Sequence, residues 1–212
     1  MSISITLDTN KKIEIEKGTT YLEISKYSKL KDSVLGVKKN NEILSLNEKA
    51  QEDETIEFFD CNSIEGSKIY KAGLKFIFEV ALKTTFLGSE IYYLHSVPGG
   101  MLGEIKYKET LTSDDVSKIK KEMANLILED LPFKKYNILK KEAIKFYETS
   151  QSFEKATNAK LYDNIITIYK LKTYLNYFYV SMPYSTKYIN SFELKYLGNN
   201  RIIILYPSNL TN

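Results

Sequence analysis

Histidine and cysteine, the side chains on which zinc sites and Ser/His or Cys/His nucleophile systems draw, occur once each in this 212-residue chain, as His95 and Cys61. They stand more than thirty residues apart. A single cysteine excludes an internal disulfide framework and fits a reducing compartment. Arginine is reduced to Arg201, which disfavours functions built on planar bidentate forks to phosphate or base edges. An excess of one charge is missing too: 30 basic and 27 acidic residues are interspersed and the net charge is +3, so the bulk composition makes no case for a nucleic-acid or membrane surface. Met1 to Asn10 has no signal-peptide apolar core, and no run reaches the length of a membrane span. A soluble cytoplasmic protein with no membrane partner is the expectation.

What is present reads as globular, 43% hydrophobic and 27% charged, with room for a small domain followed by a larger one. Ile3, Ile5 and Leu7 alternate with polar neighbours, and Ile13 and Ile15 repeat the pattern after an Asp8-Thr9-Asn10-Lys11 turn, which predicts a hairpin with one buried face. Thr20 followed by Glu23 is a capping-box pattern opening a short helix through Tyr21, Ile24 and Tyr27. Strands are predicted at Val34 to Val37 and Glu42 to Leu46, joined at Asn40-Asn41, and at Thr55 to Phe59. A hairpin, a crossing helix and returning strands make an N-terminal β-grasp, ubiquitin-like domain over residues 1–61.

A linker at Cys61-Asn62-Ser63 leads to a second domain, 65–212. From Ser67 to Phe86 the apolar residues cover most sides of a helix, which predicts a long buried one. A strand follows at Ile91 to Val97, then a tight turn over Pro98 to Gly103 and a strand at Glu104 to Tyr107. Gly99, Gly100 and Gly103 lack a Gly-Lys-Ser/Thr ending, so they read as turn glycines and not as a phosphate loop. Thr112 and Asp115 form a capping box for a helix striped by Val116, Ile119, Met123, Leu126 and Ile127 and stopped by Pro132. A helix near Lys141 to Tyr147, strands at Ile165 to Lys170 and Tyr174 to Tyr179, and a closing hairpin across Gly198-Asn199-Asn200 complete an α+β fold with an antiparallel sheet around the long helix. The Lys118, Lys120, Lys121 run reads as a solvated helix face.

Chemistry concentrates near Pro183, where tyrosines and hydroxyls crowd one turn. Tyr177 and Tyr179, with Ser181, Tyr184, Ser185 and Lys187, are the candidate ligand-binding residues, because an open phenol can stack on a planar ligand while hydroxyls donate to it. His95 joins them as the lone imidazole, at a strand end beside Ser96. No catalytic residue and no cofactor is assigned.

The strand order of residues 1–61 resembles a TGS domain, the module at the front of threonyl-tRNA synthetases. The long helix, the Gly-rich hairpin, the Leu111-Thr112 helix start and the late proline turn are similar to the second additional domain of the same enzymes. That resemblance implies four metal-ligand positions: two histidines four apart on the long helix and a Cys and a His straddling a Gly-Pro pair. Here they fall on Ala72, Phe76, Val180 and Tyr184, so the resemblance implies a degenerate editing pocket without metal. Pro183-Tyr184-Ser185-Thr186-Lys187-Tyr188 and Phe192-Glu193-Leu194-Lys195 also resemble the tandem pair that precedes uridine-kinase-like P-loop domains.

Three functions follow as expectations. The first is a non-catalytic regulatory or ligand-binding N-terminal region of a uridine-kinase-like protein. Its partner would be a C-terminal kinase domain beyond Asn212, and its ligand a nucleotide or other small molecule held between the 67–86 helix and the 174–188 stretch. The second is a divergent, metal-free aminoacyl-tRNA editing hydrolase working through Ser181, Ser185, Lys187 or Tyr184. The third is an RNA-binding adaptor led by the β-grasp module, which the near-neutral charge disfavours.

Overall fold

The computed structural model describes residues 1–7, 10–149, 153–161, 164–207 and 210. The fold is α+β, in two compact units: Met1–Pro132 with Val180–Asn212, and Phe133–Tyr179.

In the first unit, β1 (Ser2–Leu7) and β2 (Lys12–Glu16) form the expected hairpin, with Ile5 opposite Ile13. Asp8 and Thr9 of its turn lie outside the described residues; Asn10 takes a left-handed φ of 59°. The helix α1 (Tyr21–Ser25) opens on the anticipated box: the Thr20 amide donates to Glu23 Oε2 at 2.9 Å and the Glu23 amide to Thr20 Oγ1 at 3.3 Å. β3 (Gly36–Lys39), β4 (Glu42–Leu44) and β5 (Glu54–Phe59) complete a sheet ordered β2-β1-β5-β3-β4, with β1 and β5 parallel at its centre. β3 starts two residues later than Val34: Val34 is the extended cap of the short helical turn Lys31–Ser33, and Leu35, already donating its amide to the Phe59 carbonyl at 2.9 Å, precedes the ladder, though both are buried. Ile5, Leu7, Ile24, Val34, Val37 and Ile56 fill one core, each burial worth roughly 1.5–3 kcal/mol relative to exposure.

α2 (Ile64–Thr85) begins at Ser63, whose Oγ accepts from the Gly66 amide at 2.9 Å. Ser63 is therefore a helix cap and not only linker. β6 (Glu90–Val97) and β7 (Gly100–Lys106) follow. Gly100 and Gly103 lie inside β7, so the expected long turn shrinks to Pro98-Gly99, where only Gly99 has a left-handed φ, 69°. An added carbon at Gly103 would lie 2.6 Å from Ile91 Cδ1, so that glycine serves close strand contact. α3 (Ser113–Leu128) carries its capping box and buries Val116, Ile119, Met123 and Leu126. It ends before Pro132, at the left-handed Asp130 (φ 50°), while Pro132 bridges to Ser185.

The second unit holds β8 (Lys134–Leu139), α4 (Lys140–Thr149), α5 (Phe153–Ala159), β9 (Ile165–Leu171) and β10 (Tyr174–Tyr177), with sheet order β10-β9-β8. β8 and α5 were not anticipated, and β10 stops at Tyr177, short of Tyr179. Its core is Ala143, Tyr147, Ala156, Ala159, Ile166 and Ile168.

Back in the first unit, β11 (Glu193–Gly198) and β12 (Arg201–Leu205) close an antiparallel sheet ordered β11-β12-β7-β6. Among the described residues no helix is long and apolar enough to cross a membrane.

Candidate functional site

The late turn of the first unit is pressed onto α2. A carbon added at Gly73 would stand 2.8 Å from Pro183 Cγ and 3.1 Å from Ile189 Cδ1, so the turn and the helix meet where only a hydrogen fits. Flanking this contact, Ala72 and Phe76 are buried on α2, and Val180 and Tyr184 are half-buried on either side of Pro183. Tyr184 packs against the core of the N-terminal sheet, and its ring stands edge-on to Tyr188 at 6.3 Å.

The hydroxyls beside Pro183 are occupied. Ser185 and Thr186 are buried, and the Ser185 hydroxyl donates to Asp130 Oδ1. Lys187 Nζ lies 3.0 Å from Asp130 Oδ2. Thr186 Oγ1 donates to the Leu126 carbonyl at 2.6 Å and accepts from the Leu131 amide at 2.9 Å, while the Thr186 amide donates to the Leu131 carbonyl at 2.9 Å. One of the carbonyls that α3 leaves unpaired at its C-terminal end thereby gains a partner. Burial pushes the Asp130 carboxyl up, but the Ser185 and Lys187 hydrogen bonds outweigh it and hold the group below its ordinary range. Ser185-Thr186-Lys187 is thus a clamp on the end of α3. Ser181 is half-buried and the Lys187 side chain largely exposed, so these two keep access to solvent.

The remaining candidates lie elsewhere. His95 is exposed on β6, opposite Leu102 and next to a register shift. Tyr177 and Tyr179 belong to the second unit, where their rings meet edge-to-face at 5.9 Å and Tyr147 stands 6.1 Å from Tyr177.

Sequence reasoning passed over a polar stripe on α2. Lys71, Lys75 and Glu79 recur every four residues and are the only charged residues of the helix between Ile69 and Leu82, the signal that should have marked them. Lys75 Nζ sits 4.8 Å from the Tyr93 ring centre and Lys71 Nζ 5.2 Å from that of Tyr206, in cation–π range. Burial lowers both lysines, with Glu79 partly offsetting the effect at Lys75. Burial also pushes the Tyr206 phenol up to about 12 and holds that of Tyr93 well above its usual range.

A metal of the kind the resemblance implies does not fit. A methyl, a benzyl, an isopropyl and one phenol stand at the four positions, and among the described residues no group of three His, Cys, Asp or Glu could hold a metal ion. What these four positions offer is an apolar wall and one half-buried phenol.

No family model matches the chain. It is 33% identical over 144 residues to the threonine–tRNA ligase of Caldanaerobacter subterraneus subsp. tengcongensis, covering 67% of this chain and 22% of that protein. It is 30% identical over 146 residues to the threonine–tRNA ligase of Clostridium novyi, covering 68% and 23%. With that of Clostridium kluyveri it shares 27% over 172 residues, covering 79% and 27%. The chain spans 22 to 27% of the length of these relatives and carries a threonyl-tRNA-synthetase-like module.

Proposed function

We propose that this chain is an aminoacyl-tRNA-directed module of the threonyl-tRNA synthetase type, which binds a charged acceptor end without hydrolysing its ester. The carrying observation is the Gly73–Pro183 contact. The turn closes on the long helix at that point, which fixes the positions of the side chains around it, while Ala72, Phe76, Val180 and Tyr184 offer no metal-type donor set. In this reading residues 1–61 are a TGS-like β-grasp module and 65–212 an editing-domain-like module. The separate core of the five-stranded sheet supports the first assignment.

Calorimetry with a non-hydrolysable 3′-amide analogue of seryl- or threonyl-adenosine tests the reading. Saturable binding is expected, lost in Gly73→Ala, whose methyl would push Pro183 away. Silence with both analogues on the intact chain would remove it.

A second reading is the metal-free hydrolase. Of its four candidates, the Ser185 hydroxyl and the Lys187 amine are both held by hydrogen bonds to Asp130, which leaves Ser181 and Tyr184. Turnover on mischarged tRNA that persists in chelator and falls in Ser181→Ala would establish it. The narrower context of a uridine-kinase-like parent rests on the turn and the Phe192-Glu193-Leu194-Lys195 segment. A Gly-x-x-x-x-Gly-Lys-Ser/Thr segment in a downstream reading frame would decide that question.

A further inference from the structure

The N-terminal sheet opens at one end. The β3–β5 ladder stops at the Lys38–Glu57 pair, so the first residues of β5 are paired with β1 alone, Glu54 opposite Ile5 and Thr55 opposite Thr6. Lys39 spans the opening: its Nζ lies 2.5 Å from Glu54 Oε2 and 3.0 Å from Glu52 Oε1. The Glu54 side chain is 2% exposed, and its other oxygen accepts from the Tyr21 phenol at 2.7 Å. Burial and that hydrogen bond hold the phenol well above its usual range, so it stays a donor. A carboxylate taken out of water is costly unless its partners are fixed, and here they are, which makes Lys39 and Glu54 a firm wall.

A cavity of about 450 Å³ lies against this wall, and around it stand groups that the fold itself leaves unused. Thr6 is opposite both Lys12 of β2 and Thr55 of β5, so an amine and two hydroxyls form one file across three strands. Among the described residues the Lys12 amine has no ion-pair partner and neither threonine hydroxyl has a hydrogen bond. Asp53 accepts from the Ser4 amide at 2.8 Å with Oδ1, which leaves Oδ2 open, and Glu52 is exposed. The lining thus has two chemistries, an ammonium with hydroxyls toward β2 and carboxylates at the start of β5. Among the described residues it holds no aromatic ring on which a base could stack, and its three carboxylates outnumber its two amines, so it does not suit a nucleotide. A small molecule that carries both charges matches it.

We propose that this cavity binds a free α-amino acid, its carboxylate on Lys12 and the Thr6 and Thr55 hydroxyls and its ammonium on Asp53 and Glu52. The site shares no residue with the Gly73–Pro183 contact, and its ligand carries no nucleoside. Its failure and the failure of the aminoacyl-tRNA reading are therefore separate results.

The test is calorimetry of the 212-residue chain with the standard L-amino acids. Those that bind are then compared with the two halves of their charge pattern, the amine that lacks the carboxylate and the 2-hydroxy acid that lacks the ammonium, and inorganic phosphate serves as an anion control. Saturable binding of at least one amino acid with a Kd below about 1 mM is expected. Each half should bind at least about tenfold more weakly, since each forfeits charge-assisted hydrogen bonds, and phosphate should leave amino-acid binding unchanged. Lys12→Ala and Asp53→Asn should each weaken amino-acid binding about tenfold. Both positions are exposed and asparagine keeps an oxygen for the Ser4 amide, so these variants stay folded. Lys195→Ala on β11 should leave binding unchanged. No saturable binding with any amino acid up to about 10 mM would overturn the proposal. So would a half-ligand that binds as tightly as the amino acid, phosphate that displaces it, or an affinity that the Lys12 and Asp53 variants leave untouched.

Discussion

Thr186 shows how a residue chosen for chemistry turns out to hold structure. Its hydroxyl donates to Leu126 and accepts from Leu131 in a fully buried place, so Thr186→Val would strand a carbonyl and an amide at once. A buried group left without its partner costs about 1–3 kcal/mol, which predicts a loss of about 2–4 kcal/mol in urea unfolding for the valine variant and less than about 1 kcal/mol for Thr186→Ser. Asp115 yields a prediction in pH. Its carboxyl is lowered to about 2 by the Lys118 hydrogen bond and by the Thr112 amide and hydroxyl. A depressed carboxylate contributes stability above its unfolded value, near 3.8, and loses it as the pH falls through about 2. The gap in urea midpoint between the wild type and Asp115→Asn should therefore be widest near pH 5 and close by pH 2. At this scale residue types were legible but their partners were not: nothing local in Ser185-Thr186-Lys187 says that the end of a helix some 55 residues earlier needs capping. Likewise Lys118 and Lys120, read as a solvated face, each have an acidic partner, Asp115 at 2.9 Å and Glu193 at 2.6 Å.

Among the elements, those with strong local chemistry were readable. Both capping boxes stand where Thr20-Glu23 and Thr112-Asp115 put them, since a hydroxyl and a carboxylate three residues apart satisfy the first amides with no help from the rest of the fold. β8 was missed because Lys134, Lys135, Tyr136 and Asn137 are all exposed on an edge strand, and an edge with little burial leaves no apolar alternation. The β11–β12 turn shows what one residue adds. Asn200 holds φ at 58°, accepts from the Leu111 amide at 2.7 Å and donates to the Glu109 carbonyl at 3.1 Å. Asn200→Ala should cost about 2 kcal/mol, combining left-handed strain with the lost hydrogen bonds, and Asn200→Gly about half of that, because glycine restores only the backbone freedom. Thermal or urea unfolding of the two variants distinguishes the contributions.

For the whole molecule, net charge hides distribution. A net +3 coexists with nine lysines and four acidic residues in residues 133–179, a sorting that only the boundaries of the second unit make visible. That the long helix and the late turn contain no histidine or cysteine was legible at once, because absence of a residue type needs no fold to interpret. The contacts of Lys71 and Lys75 with Tyr206 and Tyr93 were not, since only the fold brings those rings to the helix. Similarity to threonine–tRNA ligases and the Gly73–Pro183 contact are the two observations on which the proposed function stands. The most direct measurement is single-turnover decay of the seryl ester on mischarged threonine tRNA, with the intact chain in excess over the tRNA and with binding followed in parallel. Stable binding with an ester lifetime equal to that in buffer is the predicted result; an ester that decays faster in the complex, with or without chelator, would contradict it.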